Sequence, residues 1–350
     1  MVVVGADVHK RTHTFVAVDE VGRNVGEKVV KATTVGHRQA IRWARTQFGV
    51  ELVWAIEDCR HLSARLERDL LSADQKVVRV PPKLMAQTRA SARTRGKSDP
   101  IDALAVARAY LREPDLPVAS HDEVSRELKL LVDRREDLVG QRTSTINRLL
   151  WRVHELDPGR APKPASLDLS KHRRLLGDWL AAQPGLVAEL AREELADITR
   201  LTEAINALAK RIGERVRAIA PALLAMPGCG ELTAAKIIGE AAGVTRFKSE
   251  AAFARHAGVA PIPVWSGNTA GRVRMTRTGN RQLNAALHRI AVTQIRLDGL
   301  GQAYYRSRLA TGNSSTEALR CLKRRLARVV FHHLHTDHDT RTKPCHTAAA

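Results

Sequence analysis

At 350 residues, 44% of them hydrophobic, the chain is long enough for two or three domains, each burying its own core. Lys and Arg number 57 against 37 Asp and Glu, and the resulting formal charge of +20 favours a polyanion partner, nucleic acid being the commonest. Membrane and disulfide-rich secreted classes are excluded. No run nears the roughly 18 apolar residues of a span, the opening MVVVGADVHK is charged too soon for a signal peptide, and Cys59, Cys229, Cys321 and Cys345 form no CxxC pair or disulfide framework. A soluble, cytoplasmic protein is expected.

In chain order, Val2-Val3-Val4 opens a strand and Thr14 to Val18 a second, with Asp19-Glu20-Val21-Gly22 turning into a third around Lys28-Val29-Val30. Thr34 to Phe48 has helical spacing, Leu52 to Ile56 is an apolar strand, Leu62 to Leu71 a helix, and Val77 to Val80 a strand stopped by Pro81-Pro82. Hairpin strands followed by alternating β and α predict a mixed sheet with helices on its faces. From Asp122 the pattern is helical, with one helix near 124–156, then a Pro-rich break at 157–164. In 187–219, Ala191, Ile198, Ile205, Ile212 and Ile219 recur every seven residues with Leu201 and Leu208 between them, a coiled-coil pattern that packs on the chain itself or on another subunit. Pro221 begins a third section. The expected regions are thus 1–118 (α/β), 119–220 (helical, coiled-coil), 221–335 (helical) and a disordered tail at 336–350. In the last helix and tail, His332, His333, His335 and His338 could bind metal but are read as an adventitious tract rather than a functional site.

The charge is uneven. Residues 221–335 hold 17 basic and 5 acidic side chains, and between Glu250 and Asp298 there are seven arginines and no acid. Such a stretch repels itself unless it faces phosphate or lies on the surface.

Three groups of residues carry chemistry. Asp7 follows the first strand, Glu57 ends the apolar strand, and Asp99 and Asp102 lie three apart where Pro100 suits a helix start. Each alone reads as a turn or cap residue. Converged, they would bind hard divalent ions, with Mg²⁺ the natural choice and two ions roughly 4 Å apart the arrangement for phosphodiester displacement. Arg89, Arg93, Arg95 and Lys97 precede the Asp pair and would draw phosphate towards it. Second, Met226-Pro227-Gly228-Cys229-Gly230 between apolar helices, the second carrying Lys236, predicts a helix-hairpin-helix whose glycine turn grips phosphate; a plain helical hairpin is the alternative. Third, Ser266 stands before Gly267 on a loop flanked by Arg272, Arg274, Arg277 and Arg281. A serine hydroxyl needs a base, a metal or polarised phosphate to act as a nucleophile, and by spacing alone Ser266 is a turn residue.

Taken together, Val4-Gly5-Ala6-Asp7-Val8-His9-Lys10, Lys97-Ser98-Asp99-Pro100-Ile101-Asp102-Ala103, the Met-Pro-Gly-Cys-Gly hairpin, and Gly258-Val259-Ala260-Pro261 leading through Ser266-Gly267 to Arg277-Thr278-Gly279-Asn280-Arg281 resemble the DEDD transposases of the insertion-sequence-one-ten group, the RNA-guided bridge recombinases. The resemblance runs over nearly the whole chain. It implies an RNase H-like (RuvC-like) N-terminal domain with Asp7, Glu57, Asp99 and Asp102 as its metal quartet, and a C-terminal domain in which Ser266 forms a phosphoserine link to DNA. It further implies donor and target DNA and a structured guide RNA as partners, a nucleoid-associated bacterial protein, and a dimer or tetramer combining the carboxylates of one subunit with the serine of another. One departure stands out: the family often follows its glutamate with a small residue, Thr and Gly, whereas Glu57 precedes Asp58-Cys59-Arg60. Strand alternation sends Glu57 and Asp58 to opposite faces, so one of them is the ligand, and Glu57 is preferred. Two other readings remain: a junction-resolving nuclease using the carboxylates without a covalent intermediate, and a non-catalytic nucleic-acid-binding protein.

Overall fold

The computed structural model describes residues 1–58, 60–91, 96, 98–120, 122–271, 273–275 and 279–342. It divides into two units, one of residues 1–122 with 245–248, the other of 123–244 with 249–350.

The first unit is a five-stranded sheet with helices on both faces. Its elements are β1 (Val2–Val8), β2 (Thr12–Val18), β3 (Asn24–Lys31), α1 (Thr34–Phe48), β4 (Leu52–Glu57), α2 (Arg60–Leu71), β5 (Lys76–Val80), α3 (Pro82–Ala90) and α4 (Asp99–Arg112). The strand order is β3-β2-β1-β4-β5; β1, β2 and β3 are antiparallel neighbours, and β4 and β5 run parallel to β1. This is the mixed sheet expected from the hairpin-then-alternating pattern. The apolar runs of β1 and β4 are explained by burial on both faces. Val4, Ala6, Trp54 and Ile56 join one core, with Leu66 and Leu70 of α2. Val3, Val53 and Ala55 join the opposite one, with Ala103, Val106 and Ala107 of α4.

Gly5 sets how closely α4 lies on the sheet. A Cβ there would collide with the Ala103 carbonyl oxygen and stand 2.7 Å from the Ala107 nitrogen. The helix answers with Ala103 and Ala107, one turn apart on the same face, side chains short enough to let backbone meet backbone.

Beneath the other face, His13 of β2 and His37 of α1 are buried and stacked at 5.1 Å between ring centroids, and His37 Nδ1 lies 2.6 Å from Asp69 Oδ2 of α2.

Among its described residues the second unit is helical apart from one small hairpin: α5 (Glu123–Leu156), α6 (Ser170–Ala181), α7 (Leu186–Ile219), α8 (Pro221–Leu224), α9 (Glu231–Ala241), α10 (Glu250–His256), β6 (Pro261–Pro263), β7 (Val273–Met275), α11 (Arg281–Arg296), α12 (Leu300–Ala310) and α13 (Ser315–Thr342). Helices α5 and α7 are antiparallel, since Glu127 pairs with Arg215 and Arg152 with Glu194. The heptad residues Ala191, Ile198, Leu201 and Ile205 of α7 are spent on this contact, packing against Leu138, Leu149 and Val153 of α5 in the same chain. Helix α13 continues past His335 to Thr342, through much of the stretch expected to be a tail; residues 343–350 lie outside the described residues. Among the described residues no helix is long and apolar enough to cross a membrane.

Two measurements follow from these cores. Gly5→Ala should destabilise the protein by about 1–3 kcal/mol in urea unfolding, the usual cost of overpacking; wild-type stability would show that α4 does not press on Gly5. Burial, and next the neighbouring His37, pushes the His13 imidazole down from 6.5 to about 4. Between those values the unfolded chain binds more protons than the folded one, so the stability contributed is complete above pH ~6.5 and lost as pH falls towards 4. Thermal melts at pH 7 and pH 4.5 should therefore show a larger acid-induced drop in Tm for wild type than for His13→Gln. Equal drops would refute this.

Candidate active site

Strand register brings the first two carboxylates together. Ala6 is paired with Ile56 across β1 and β4, so Asp7 and Glu57 are the next residues at the C-terminal ends of adjacent parallel strands. Alternation along the strands sets their face: Asp7 follows Val3 and Gly5, Glu57 follows Val53 and Ala55, and both rows look towards α4. Helix α4 starts at Asp99, with Pro100 in its first turn and Asp102 N–H donating to the Ser98 carbonyl at 3.0 Å. The helix that rests on Gly5 therefore delivers Asp99 and Asp102 to the strand end that carries Asp7.

Asp7 and Asp102 are largely enclosed, with side chains 13% and 14% exposed, whereas Asp99 is 52% exposed. Burial raises the Asp7 carboxyl above the ordinary carboxylate range; His9 opposes that, and Asp99 and Asp102 reinforce it. Burial raises Glu57 as well, followed by repulsion from Asp7 and Asp102, against which Arg89 acts. Arg89 Nη1 donates to Asp102 Oδ1 at 2.8 Å, so this arginine is engaged with the acid cluster itself. The arrangement is a half-enclosed group of carboxylates in mutual repulsion, a place where added positive charge is favoured.

Sequence reasoning passed over His9. Its Nε2 lies 3.0 Å from Asp7 Oδ2 and 3.5 Å from Asp99 Oδ1, and Asp7, His9 and Asp99 offer ligand atoms all within 4.8 Å of one another. The signal was available: His9 lies two residues beyond Asp7, in step with Val3, Gly5 and Asp7. Asp58, the rival of Glu57, donates its backbone N–H to the Val80 carbonyl at 2.9 Å.

In the second unit, Ser266 and Gly267 are exposed in the connection between β6 and β7, beside Trp265, which is 56% exposed. Arg274 is exposed on β7, and Arg281 is exposed as the first residue of α11. Arg93, Arg95, Lys97, Arg272 and Arg277 lie outside the described residues.

The glycine turn between α8 and α9 is divided in its use. Gly228, at φ +82°, faces α11: a Cβ there would meet Thr293 Cβ at 3.0 Å. Gly230 caps α9 with open space around it. Lys236 is a correction. Read from the sequence as a nucleic-acid contact, it is buried, with its ammonium on Glu136 of α5 and, at 2.7 Å, on Gln282 Oε1 of α11. It falls on the inner face of α9, where Ala234, Ala235, Ile237 and Ile238 are also enclosed, and an ammonium there needs protein partners.

Comparison with known proteins adds the following. Residues 4–156 match a family model described as "Transposase", and residues 220–306 match one described as "Transposase IS116/IS110/IS902 family". The uncharacterized 42 kDa protein of insertion element IS900 from Mycobacterium paratuberculosis is 28% identical over 86% of this chain and 87% of its own length. The uncharacterized 44.8 kDa protein of insertion element IS116 from Streptomyces clavuligerus is 28% identical over 94% and 93%. Among solved structures, T. thermophilus RuvC in complex with Holliday junction substrate aligns at 16% identity over 34% of this chain and 99% of its own, with a TM-score of 0.26, too low to bear on fold or function.

The enclosure of Lys236 yields a prediction. Lys236→Met should lower unfolding stability by on the order of 2 kcal/mol, the worth of hydrogen bonds to a charged group, discounted because Glu136 is partly exposed. Affinity for duplex DNA should stay within about twofold of wild type in a filter-binding titration, since a phosphate contact at this site would be worth more than that. A stable variant with weakened DNA binding would return Lys236 to the interface.

Proposed function

The chain belongs to the IS116/IS110/IS902 transposase family, and from that membership we propose that its first unit is an RNase H-like domain performing metal-dependent DNA cleavage, with Ser266 of the second unit as the nucleophile that holds the cut strand. The observation that carries the reading is the meeting of Asp7 and Glu57, on adjacent strand ends, with the first turn of the helix bearing Asp99 and Asp102. The strand order, three antiparallel neighbours followed by two parallel strands, supports the RNase H-like assignment.

The donor set fits a hard divalent ion such as Mg²⁺: carboxylate oxygens from two strand ends and one helix turn, half-enclosed and mutually repelling. Asp7, Glu57, Asp99 and Asp102 would hold it, and when bound it would stabilise charge building on the phosphate oxygens. His9 adds a nitrogen beside Asp7 and Asp99. Arg89 holds Asp102 in place and offsets part of the negative charge before DNA arrives.

Ser266 would attack phosphorus through its hydroxyl oxygen. One phosphoester bond to DNA breaks, one to serine forms, and the serine proton ends on the departing DNA oxygen. The count of phosphoester bonds is unchanged, so the strand can be passed to another DNA hydroxyl without an external energy source. That economy is what strand exchange requires and hydrolysis lacks. Donor and target DNA would be gripped through phosphate by the arginine excess of 221–335, with Arg274 and Arg281 exposed for it. The α8–α9 hairpin, open at Gly230, is read as a helix-hairpin-helix phosphate contact. A structured guide RNA and a dimer or tetramer belong to the same proposal on the strength of the family resemblance.

The test is a denaturing gel of the protein with Mg²⁺, RNA transcribed from the DNA flanking its gene, and labelled donor and target DNA. A protein–DNA adduct that survives SDS and disappears in both Ser266→Ala and Asp102→Ala is the expected result. Cleavage without adduct, indifferent to Ser266→Ala, would leave a metal-dependent nuclease. No metal effect on DNA integrity would leave a binding protein.

A further inference from the structure

The segment that presents Ser266 leaves the helical body after α10 and returns to it before α11, and its two ends touch. A Cβ on Gly279 would overlap Gly258 and lie 2.9 Å from the Ala257 carbonyl carbon, so a side chain on Gly279 would force the ends apart. Asn280 N–H donates to the His256 carbonyl at 2.7 Å, tying the returning end to the last residue of α10.

Each end is also gripped by an asparagine whose orientation its neighbours dictate. On the outgoing end, Asn284 Nδ2 donates to the carbonyls of Ala257 at 2.9 Å and Gly258 at 3.1 Å, while Asn284 Oδ1 accepts from the Lys323 ammonium of α13. Two carbonyls accept without donating and an ammonium donates without accepting, so a flipped carboxamide would face like against like on both sides. On the returning end, Asn280 Nδ2 donates to Glu240 Oε2 at 2.6 Å, and its Oδ1 accepts from the N–H groups of Gln282 and Leu283. Glu240 is braced in turn by Lys129 of α5 at 2.7 Å. Lys323 and Glu240 are both buried, a costly placement for ionised groups that makes their hydrogen bonds to the asparagines expensive to break.

We infer that Asn284, oriented by Lys323, and Asn280, oriented by Glu240, are positioning residues that fix the base of the serine-bearing arm, so that Ser266 meets its phosphate from one direction. The inference rests on the assignment of Ser266 as nucleophile. The clamp acts through the backbone at Ala257–Gly258 and Gly279–Asn280. Its loss therefore affects the rate of attack in the bound complex more than the binding of DNA.

The test compares Asn284→Ala, Lys323→Met, Lys323→Arg and Ser266→Ala in the full-length protein with the same Mg²⁺, flanking RNA and DNA. Folding is checked by thermal melt, DNA affinity by titration, and adduct formation by rate at saturating DNA. Asn284→Ala and Lys323→Met should slow adduct formation by about 10- to 100-fold, the penalty of a misplaced nucleophile, with affinity within about twofold, and Lys323→Arg should recover a large part of the rate. Should Asn284→Ala not fold, Asn284→Ser, which keeps one donor, takes its place. An unchanged rate in a folded Asn284 variant, with the adduct abolished by Ser266→Ala, overturns the clamp alone. An adduct that persists in Ser266→Ala overturns the nucleophile assignment and the clamp with it. Equal losses in affinity and rate, with no recovery in Lys323→Arg, would mean that the network merely supports the fold.

Discussion

Much of the first unit depends on a single place where two backbones touch. Gly5 has no side chain, α4 is lined with alanine where it crosses β1, and the helix settles against the strand at the Ala103 carbonyl. That contact fixes the height of α4 above the sheet, and with it the height of Asp99 and Asp102 relative to Asp7 and Glu57. The aliphatic core on this face then holds the helix at the chosen distance. A larger residue at position 5 would move the carboxylates apart without altering any of them.

The electrostatics of the cluster work against the fold that builds it. Burial and mutual repulsion raise Asp7 and Glu57, and local relief comes from Arg89 and His9. A protein optimised for stability would not assemble acids in this way. The sheet tolerates it because register and alternation leave no choice: residues one step past the Ala6–Ile56 pair must emerge side by side on the α4 face. Strain of this kind, held by a rigid scaffold, is what an acidic centre awaiting a cation and a phosphate would show.

Legibility from the sequence followed locality. The positions of Asp7 and Glu57 at strand ends, and of Asp99 and Asp102 at a helix start marked by Pro100, could be read because these are local features. The mixed character of the sheet was implied by hairpin strands preceding alternating ones. Lys236 was misjudged because which face of α9 turns inward is decided by α5 and α11, far away in sequence. The heptads of α7 showed that a stripe would be buried, but not that α5 of the same chain would bury it. Gly228 looked like a place for phosphate to approach; the residue that approaches is Thr293. His9 was readable from its place two residues beyond Asp7, on the same face of the strand end.

The meeting of Gly258 and Gly279 has a consequence for how such a protein can diversify. A loop whose two ends already touch is closed at its base, so the helical body registers it as a single attachment point. Lengthening or rewriting the part beyond that point costs loop entropy that grows only slowly with length. The segment can therefore behave as an interchangeable cassette, with its reach and its chemistry adjusted independently of the framework that carries it.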